Sequence, residues 1–447
     1  MKMTRKQAGI MALASMMLLS ACSSGSKGEE ASAPQTGPIK IVWWHSLAGA
    51  NGKVLEKMTD DFNKSQTDVQ VEAVFQGEYD DSYTKLFATL NSNSGPVLYQ
   101  SSFDKIAPLI DSESITPVQQ FIDKEKYDMS QFEKTILSAY TYKNALYSMP
   151  FNSSNAIMYY NKDMFKQAGL DPNKPPATYD ELIEMAKKLT GNGKFGVSFS
   201  NESWFVEQFM AAQGAERVDN GNGRLGQPTK SLINGEGALS VFNMWRTLRD
   251  NGSTLDVGGI RPDTQKAFFA GQAAMILAST AGVKNILTGS KDKFELGTAP
   301  LPKPANAKPG GSFVSGGSLY IMNNKPKAEQ EAAWKFIKFM MKPDQQAYLS
   351  VNTGYFPVTT SSYALPEMVE NLKTFPQFKT AIDQLASGAA NNAASGSILG
   401  VYPQEREVIA DSLTKILKGA DVKQTLDEAA KQITAKIVEY NNNTKKK

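Results

Sequence analysis

A strand–helix–strand pattern opens the folded part of this chain and constrains everything that follows. Ile39-Lys40-Ile41-Val42-Trp43-Trp44 reads as a β-strand, Val54 to Asn63 carries Val54, Leu55, Met58 and Phe62 at helical spacing, and Asp68 to Phe75 is again strand-like. In this order the three segments form a right-handed βαβ unit in a mostly parallel sheet. The alternation continues. Asp180 to Leu189, Glu236 to Leu248, Glu329 to Met341 and Leu426 to Tyr440 have the apolar spacing of helices, while Phe195 to Phe199, Ala274 to Leu277 and Ser318 to Met322 read as short strands. The fold class is therefore α/β, with a ligand expected at the carboxyl ends of the strands. No solenoid repeat or long heptad run competes with this reading.

The segment before the first strand has a different purpose. Lys2, Arg5 and Lys6 precede an apolar stretch from Ile10 to Leu19, which ends in Leu19-Ser20-Ala21-Cys22. This is an export signal closing on a lipobox. Its apolar run is about half of the roughly 20 residues that a permanent membrane helix needs. Cys22 is the only cysteine, which excludes an intramolecular disulfide and fits a lipid-attachment thiol. Ser23 to Pro38, rich in Ser, Gly, Ala, Pro and Glu, reads as a flexible tether. The ~400 residues beyond it exceed what one hydrophobic core usually supports, so two lobes are expected. With no later run of 18 apolar residues, the mature body is expected to be soluble and held to the membrane by lipid alone.

Composition then excludes several chemistries. Cleavage before Cys22 removes three cations and no acid, taking the formal charge from +3 to zero and the electrostatic basis of nucleic-acid binding with it. Lys445, Lys446 and Lys447 read as a solvated end. A single histidine, His45, rules out a histidine metal cluster or a histidine relay; at the end of the first strand it either faces a cleft or packs inside. The adjacent acids Asp60-Asp61 and Asp80-Asp81 read as solvated surface carboxylates. Gly258-Gly259 and Gly316-Gly317 lack the spacing of a dinucleotide fingerprint, and no phosphate loop is present. No catalytic residue, metal or cofactor is expected. Aromatic residues at segment ends, among them Trp43, Trp44, Tyr79, Tyr179, Trp204 and Tyr355, suit the apolar faces of polyols and sugars.

Pro150-Phe151-Asn152-Ser153-Ser154, the run from Tyr159 to Pro172 and Pro175-Pro176-Ala177-Thr178-Tyr179 together resemble the extracellular solute-binding proteins of carbohydrate ABC importers. Trp44-His45-Ser46, Gly77-Glu78-Tyr79, Gly271 to Met275, Ser315 to Leu319, Thr353 to Pro357 and Pro403-Gln404-Glu405-Arg406 extend the match across nearly all of the mature chain, most like the members that bind sn-glycerol 3-phosphate. The resemblance implies a periplasmic-binding-protein-like fold of two lobes joined by crossing strands, with a cleft that closes by hinge motion. With the signal peptide read at 1–21 and the lipidated tether at 22–38, it places one lobe at 39–154 and 278–326, and another at 155–277 and 327–447. It further implies a pocket of Tyr79, Ser154, Tyr179, Ser279, Gly316, Tyr355 and Arg406, with the guanidinium of Arg406 on phosphate.

Two departures bear on the ligand. The family's glutamate for glycerol hydroxyls aligns with Phe103; either a one-residue shift restores the carboxylate as Asp104, or hydroxyl recognition has changed. The family's tryptophan after Pro-Pro-x-Thr is Tyr179, and Trp204 is a second stacking surface. The implied function is a monomeric, lipid-anchored receptor outside the cytoplasmic membrane. It delivers sn-glycerol 3-phosphate or a glycerophosphodiester to ABC permease subunits, without nucleic acid or cofactor. A neutral sugar or oligosaccharide is the alternative ligand. A lipid-anchored glycoside hydrolase or phosphodiesterase is the alternative of another class.

Overall fold

The computed structural model describes residues 37–444 except Asn91 and Asn93. The segments read above as an export signal, a lipidated Cys22 and a tether before Gly37, and the terminal lysines, lie outside the described residues. The opening βαβ unit forms as its spacing predicts. β1 (Ile39–His45) runs parallel to β2 (Val69–Phe75), and the helix Gly49–Ser65 between them buries Val54, Leu55, Met58 and Phe62. β3 (Leu98–Ser102) joins β1 on its other side, also in parallel.

The remaining strands are β4 (Ile115–Thr116), the ribbon of β5 (Thr141–Tyr142) and β6 (Ala145–Leu146), β7 (Met149–Ser154), β8 (Ala156–Asn161), β9 (Phe195–Ser198), β10 (Ala273–Ser279), β11 (Leu296–Ala299) and β12 (Ser315–Met322). They complete two larger sheets. The first has the order β2-β1-β3-β12-β4 with β7 beside β12, and the second has the order β11-β8-β10-β9. Every residue of β7 and β8 is buried, as strands covered on both faces require, and Asn155 alone separates them. Consecutive strands thus belong to different sheets, and Asn155 is a crossing between the lobes.

Strand pairing moves two of the expected lobe boundaries. β11 pairs antiparallel with β8, so the chain rejoins the first sheet only at β12 and not at residue 278. After β12, the helix Lys327–Met340 stays with the first sheet, where Phe336 packs edge-on to Trp43 and Phe62, with ring centroids 5.3 and 4.9 Å away. The reason is burial: the apolar face of that helix matches the face of β1, which spacing along the chain does not reveal. The chain returns to the second sheet after the helix Pro343–Thr353, and Gln384 in the helix Gln377–Ser387 donates to the Ala156 carbonyl at 2.9 Å.

Among the described residues no helix is long and apolar enough to cross a membrane.

Candidate functional site

The three crossings converge on a group of polar side chains. At the first, Asn152 of β7 accepts from Gln100 Nε2 at 2.8 Å and donates to the Tyr79 hydroxyl at 3.0 Å. Gln100 in turn accepts from the Ser46 amide, so the ends of β1, β3 and β7 share one hydrogen-bond chain. At the second, Gly316 has φ +115°, and a Cβ there would lie 2.1 Å from the Asn152 carbonyl. A Cβ on Gly317 would meet Asn152 Oδ1 at 2.4 Å and the Tyr79 hydroxyl at 2.8 Å. The glycine pair lets β12 pass close to β7 and leaves room for the Tyr79 ring. At the third, Gly354 has φ +122°, the Tyr355 amide donates to Thr353 Oγ1, and the Phe356 amide donates to the Ser153 carbonyl. Tyr355 is thereby held near Tyr79. Burial raises the pKa of both phenols, and each is pushed further by the other or by Glu78.

Other expected residues sit around this group. Ser154 ends β7 opposite Ser315, and Ser279 ends β10, where its hydroxyl accepts from the Ala281 amide at 3.2 Å. Trp204 donates its indole N–H to Ser315 Oγ at 2.7 Å, and Arg261, paired with Glu202, lies over its ring at 5.0 Å. Tyr179 stands apart: it begins the helix Tyr179–Leu189, its ring packs edge-on to Phe209 at 5.8 Å, and its buried hydroxyl has no hydrogen-bond partner among the described residues. His45 is packed, 3% exposed beside Trp43 and Phe75, and burial lowers its pKa to about 4. Phe103 is also packed, edge-on to Tyr140, Phe313 and Tyr402.

Arg406 is tied to carboxylates on both sides. Its Nε and Nη2 meet Glu207 Oε1 and Oε2 at 2.9 and 3.1 Å, and its Nη1 lies 2.9 Å from Asp104 Oδ1. Asp104, 2% exposed, also receives Lys105 at 2.7 Å. Burial alone would raise the Asp104 pKa, but Arg406 and Lys105 outweigh it and hold the carboxyl well below its usual range. Glu207 further accepts from the Tyr402 hydroxyl at 2.9 Å, and Arg217 pairs with Glu405 at 2.7 Å. Sequence reading missed Glu207, Asn152 and Gln208. The available signal was two adjacent polar residues, Glu207 and Gln208, between apolar residues on both sides in the helix Ser203–Ala212, every residue of which is buried up to Ala211.

Hydroxyls, amides, rings and a guanidinium around a crossing between lobes suit an oxygen-rich small molecule. Residues 57–377 match the family profile described as bacterial extracellular solute-binding protein. The chain belongs to that family. This solute-binding protein is 30% identical over 412 residues to the sn-glycerol-3-phosphate-binding periplasmic protein UgpB of Pectobacterium atrosepticum, covering 91% of this chain and 93% of the relative. It is 29% identical over 412 residues to the protein of the same name from Escherichia coli strain K12, with 91% and 94% covered. UgpB from Mycobacterium tuberculosis, solved in complex with glycerophosphocholine, shares the fold at a TM-score of 0.76 and 24% identity over 91% of this chain and 99% of that one. The cyclic alpha-maltosyl-1,6-maltose binding protein from Arthrobacter globiformis superposes at a TM-score of 0.74 and 24% identity, over 90% and 99%. The two-lobed α/β fold expected from the sequence is therefore the fold of this protein.

Proposed function

We propose that this protein is the receptor of an ABC importer that captures sn-glycerol 3-phosphate or a glycerophosphodiester, and that a lipid on Cys22 anchors it outside the cytoplasmic membrane. The observation carrying the ligand reading is the 30% identity, over 91% of the chain, to a relative named for sn-glycerol 3-phosphate. The polar group supports it: Tyr79, Ser154, Ser279 and Tyr355 offer hydroxyls, the Gly316 segment offers main chain, Trp204 offers a ring, and Arg406 offers a guanidinium. Asp104 offers a carboxylate beside the same guanidinium. The lobes then close on ligand about the crossings at Asn155, before Ser315 and at Gly354.

One observation favours a second reading, a neutral polyol or sugar. Arg406 already faces two carboxylates, and an Arg–Asp pair serves hydroxyls, which both donate and accept, better than it serves a phosphate dianion. Calorimetric titration with sn-glycerol 3-phosphate, glycerophosphocholine, glycerol and maltose separates the two. Binding of the first two is expected; heat with maltose and none with either phosphate would overturn the phosphate reading. Mass spectrometry of the natively processed protein is expected to find a diacylglycerol adduct at Cys22.

A further inference from the structure

The helix Ser203–Ala212 presents Trp204, Glu207 and Gln208, spaced three and four residues apart, to the region where the lobes meet. Trp204 reaches Ser315, and Gln208 donates to the Phe313 carbonyl and accepts from the Ala156 amide, so the two neighbours of Glu207 on this face fix the helix to two of the crossings. Glu207 itself, 2% exposed, meets the Nε–Nη2 edge of Arg406 with both carboxylate oxygens in the fork geometry that matches a guanidinium. The Tyr402 hydroxyl fixes one of those oxygens at 2.9 Å, while the Tyr402 ring lies 5.0 Å from the Arg406 guanidinium carbon. Arg217 adds a second cation, 3.5 Å from Glu207 Oε1.

A guanidinium has five N–H donors in one plane. With the Nε–Nη2 edge taken by Glu207, its remaining face is the Nη1–Nη2 edge, and Asp104 Oδ1 from the first lobe lies 2.9 Å from Nη1. Arg406 is 25% exposed at its side chain and Glu207 1%, so the carboxylate is sealed behind the arginine. From this geometry we infer that Glu207 is a positioning residue: it orients Arg406 so that the Nη1–Nη2 edge meets ligand oxygens, with the Asp104 carboxylate beside Nη1. The inference rests on the reading of Arg406 as a ligand-contacting residue, and it holds for a phosphate or for a polyol oxygen. Glu207 touches no ligand. Its effect on binding must pass through Arg406.

A double-mutant cycle tests that dependence. Glu207→Gln, Arg406→Ala and the double variant are titrated calorimetrically with whichever of sn-glycerol 3-phosphate, glycerophosphocholine or maltose the wild type binds. Glu207→Gln is expected to weaken the wild type at least tenfold and to change the Arg406→Ala variant by less than twofold. Equal losses in both backgrounds would assign Glu207 to general stability and overturn the inference while leaving the ligand reading intact. An Arg406→Ala variant that binds as the wild type does would overturn both the role of Arg406 and the inference built on it. Tyr402→Phe removes only the hydroxyl bond to Glu207 and guards against failure of Glu207→Gln to fold; it is expected to show the same dependence on Arg406 at three- to tenfold.

Discussion

Arg224 fastens the two lobes together outside the polar group of the crossings. It comes from the loop 219–228 of the second lobe, which Asn222 ties to the Arg217 amide and to Ile398. All of its contacts are main-chain carbonyls: Nε donates to Gly396, Nη1 to Ser138 and Thr141 at 3.1 and 3.2 Å, and Nη2 to Ala139 at 2.9 Å and to Ser395. Ser138, Ala139 and Thr141 lie at the end of the helix Lys134–Tyr140 in the first lobe, where carbonyls carry the negative end of the helix dipole. Three bonds therefore cross between lobes. At about 1.5 kcal/mol each, the low end for a charged donor, they amount to roughly 4–5 kcal/mol. Burial without a carboxylate lowers the Arg224 pKa to about 10. At about 1.4 kcal/mol per unit, that desolvation offsets roughly 3–4 kcal/mol. A net on the order of 1 kcal/mol remains, and Arg224→Ala is expected to lose it from the closed form. For a free protein that is mainly open, ligand affinity then falls about fivefold without any change at the polar group of the crossings. For one that is mainly closed, the radius of gyration of the free protein rises instead. Titration calorimetry and small-angle scattering of wild type and variant measure the two quantities. An affinity and a radius both unchanged would refute the latch.

His45, the only histidine, gives one resolved imidazole signal by NMR, and with its pKa lowered to about 4 that signal is expected to stay neutral down to pH 5. The sign is that of a depressed group: its contribution is complete above pH 6.5 and is lost as pH falls from 6.5 towards 4, which His45→Gln should abolish in chemical denaturation. Glu405 acts in the opposite direction, because burial raises its pKa to about 7 against the pull of Arg217. Stability is then greatest below pH 4.5 for this group and declines as pH rises through 7, by up to about 3 kcal/mol; Glu405→Gln is expected to flatten that decline, and an unchanged slope would show the carboxyl to be ionised throughout. Gly316→Ala places a Cβ against the Asn152 carbonyl in a backbone of φ +115°, and is expected to lower the melting temperature by several degrees and to disturb ligand binding through β7.

The sequence alone determined the class of this protein, because the signals are local. Period-2 and period-3.6 spacing marks β1, the helix Gly49–Ser65 and β2 without reference to anything distant, and their observed bounds lie within a few residues of the spacing. The expectation of an export signal and a lipidated Cys22 likewise rests on short linear patterns. Of the pocket residues expected from the sequence, Tyr79, Ser154, Ser279, Gly316 and Tyr355 are at or beside the crossings, and Trp204 bonds to Ser315.

Tertiary structure decided the partners. Fully buried strands such as β7 and β8 have no exposed face to encode their sheet, so only pairing shows that the chain changes lobe at Asn155 and that β11 belongs beside β8. Arg406 and Glu207 are 199 residues apart, and no local pattern makes a glutamate in an apolar helix the partner of one arginine among several. That choice follows from desolvation: a charge enclosed at a lobe interface is stable only where folding brings an opposite charge to it, and folding brings Asp104, Glu207 and Arg406 to the same point.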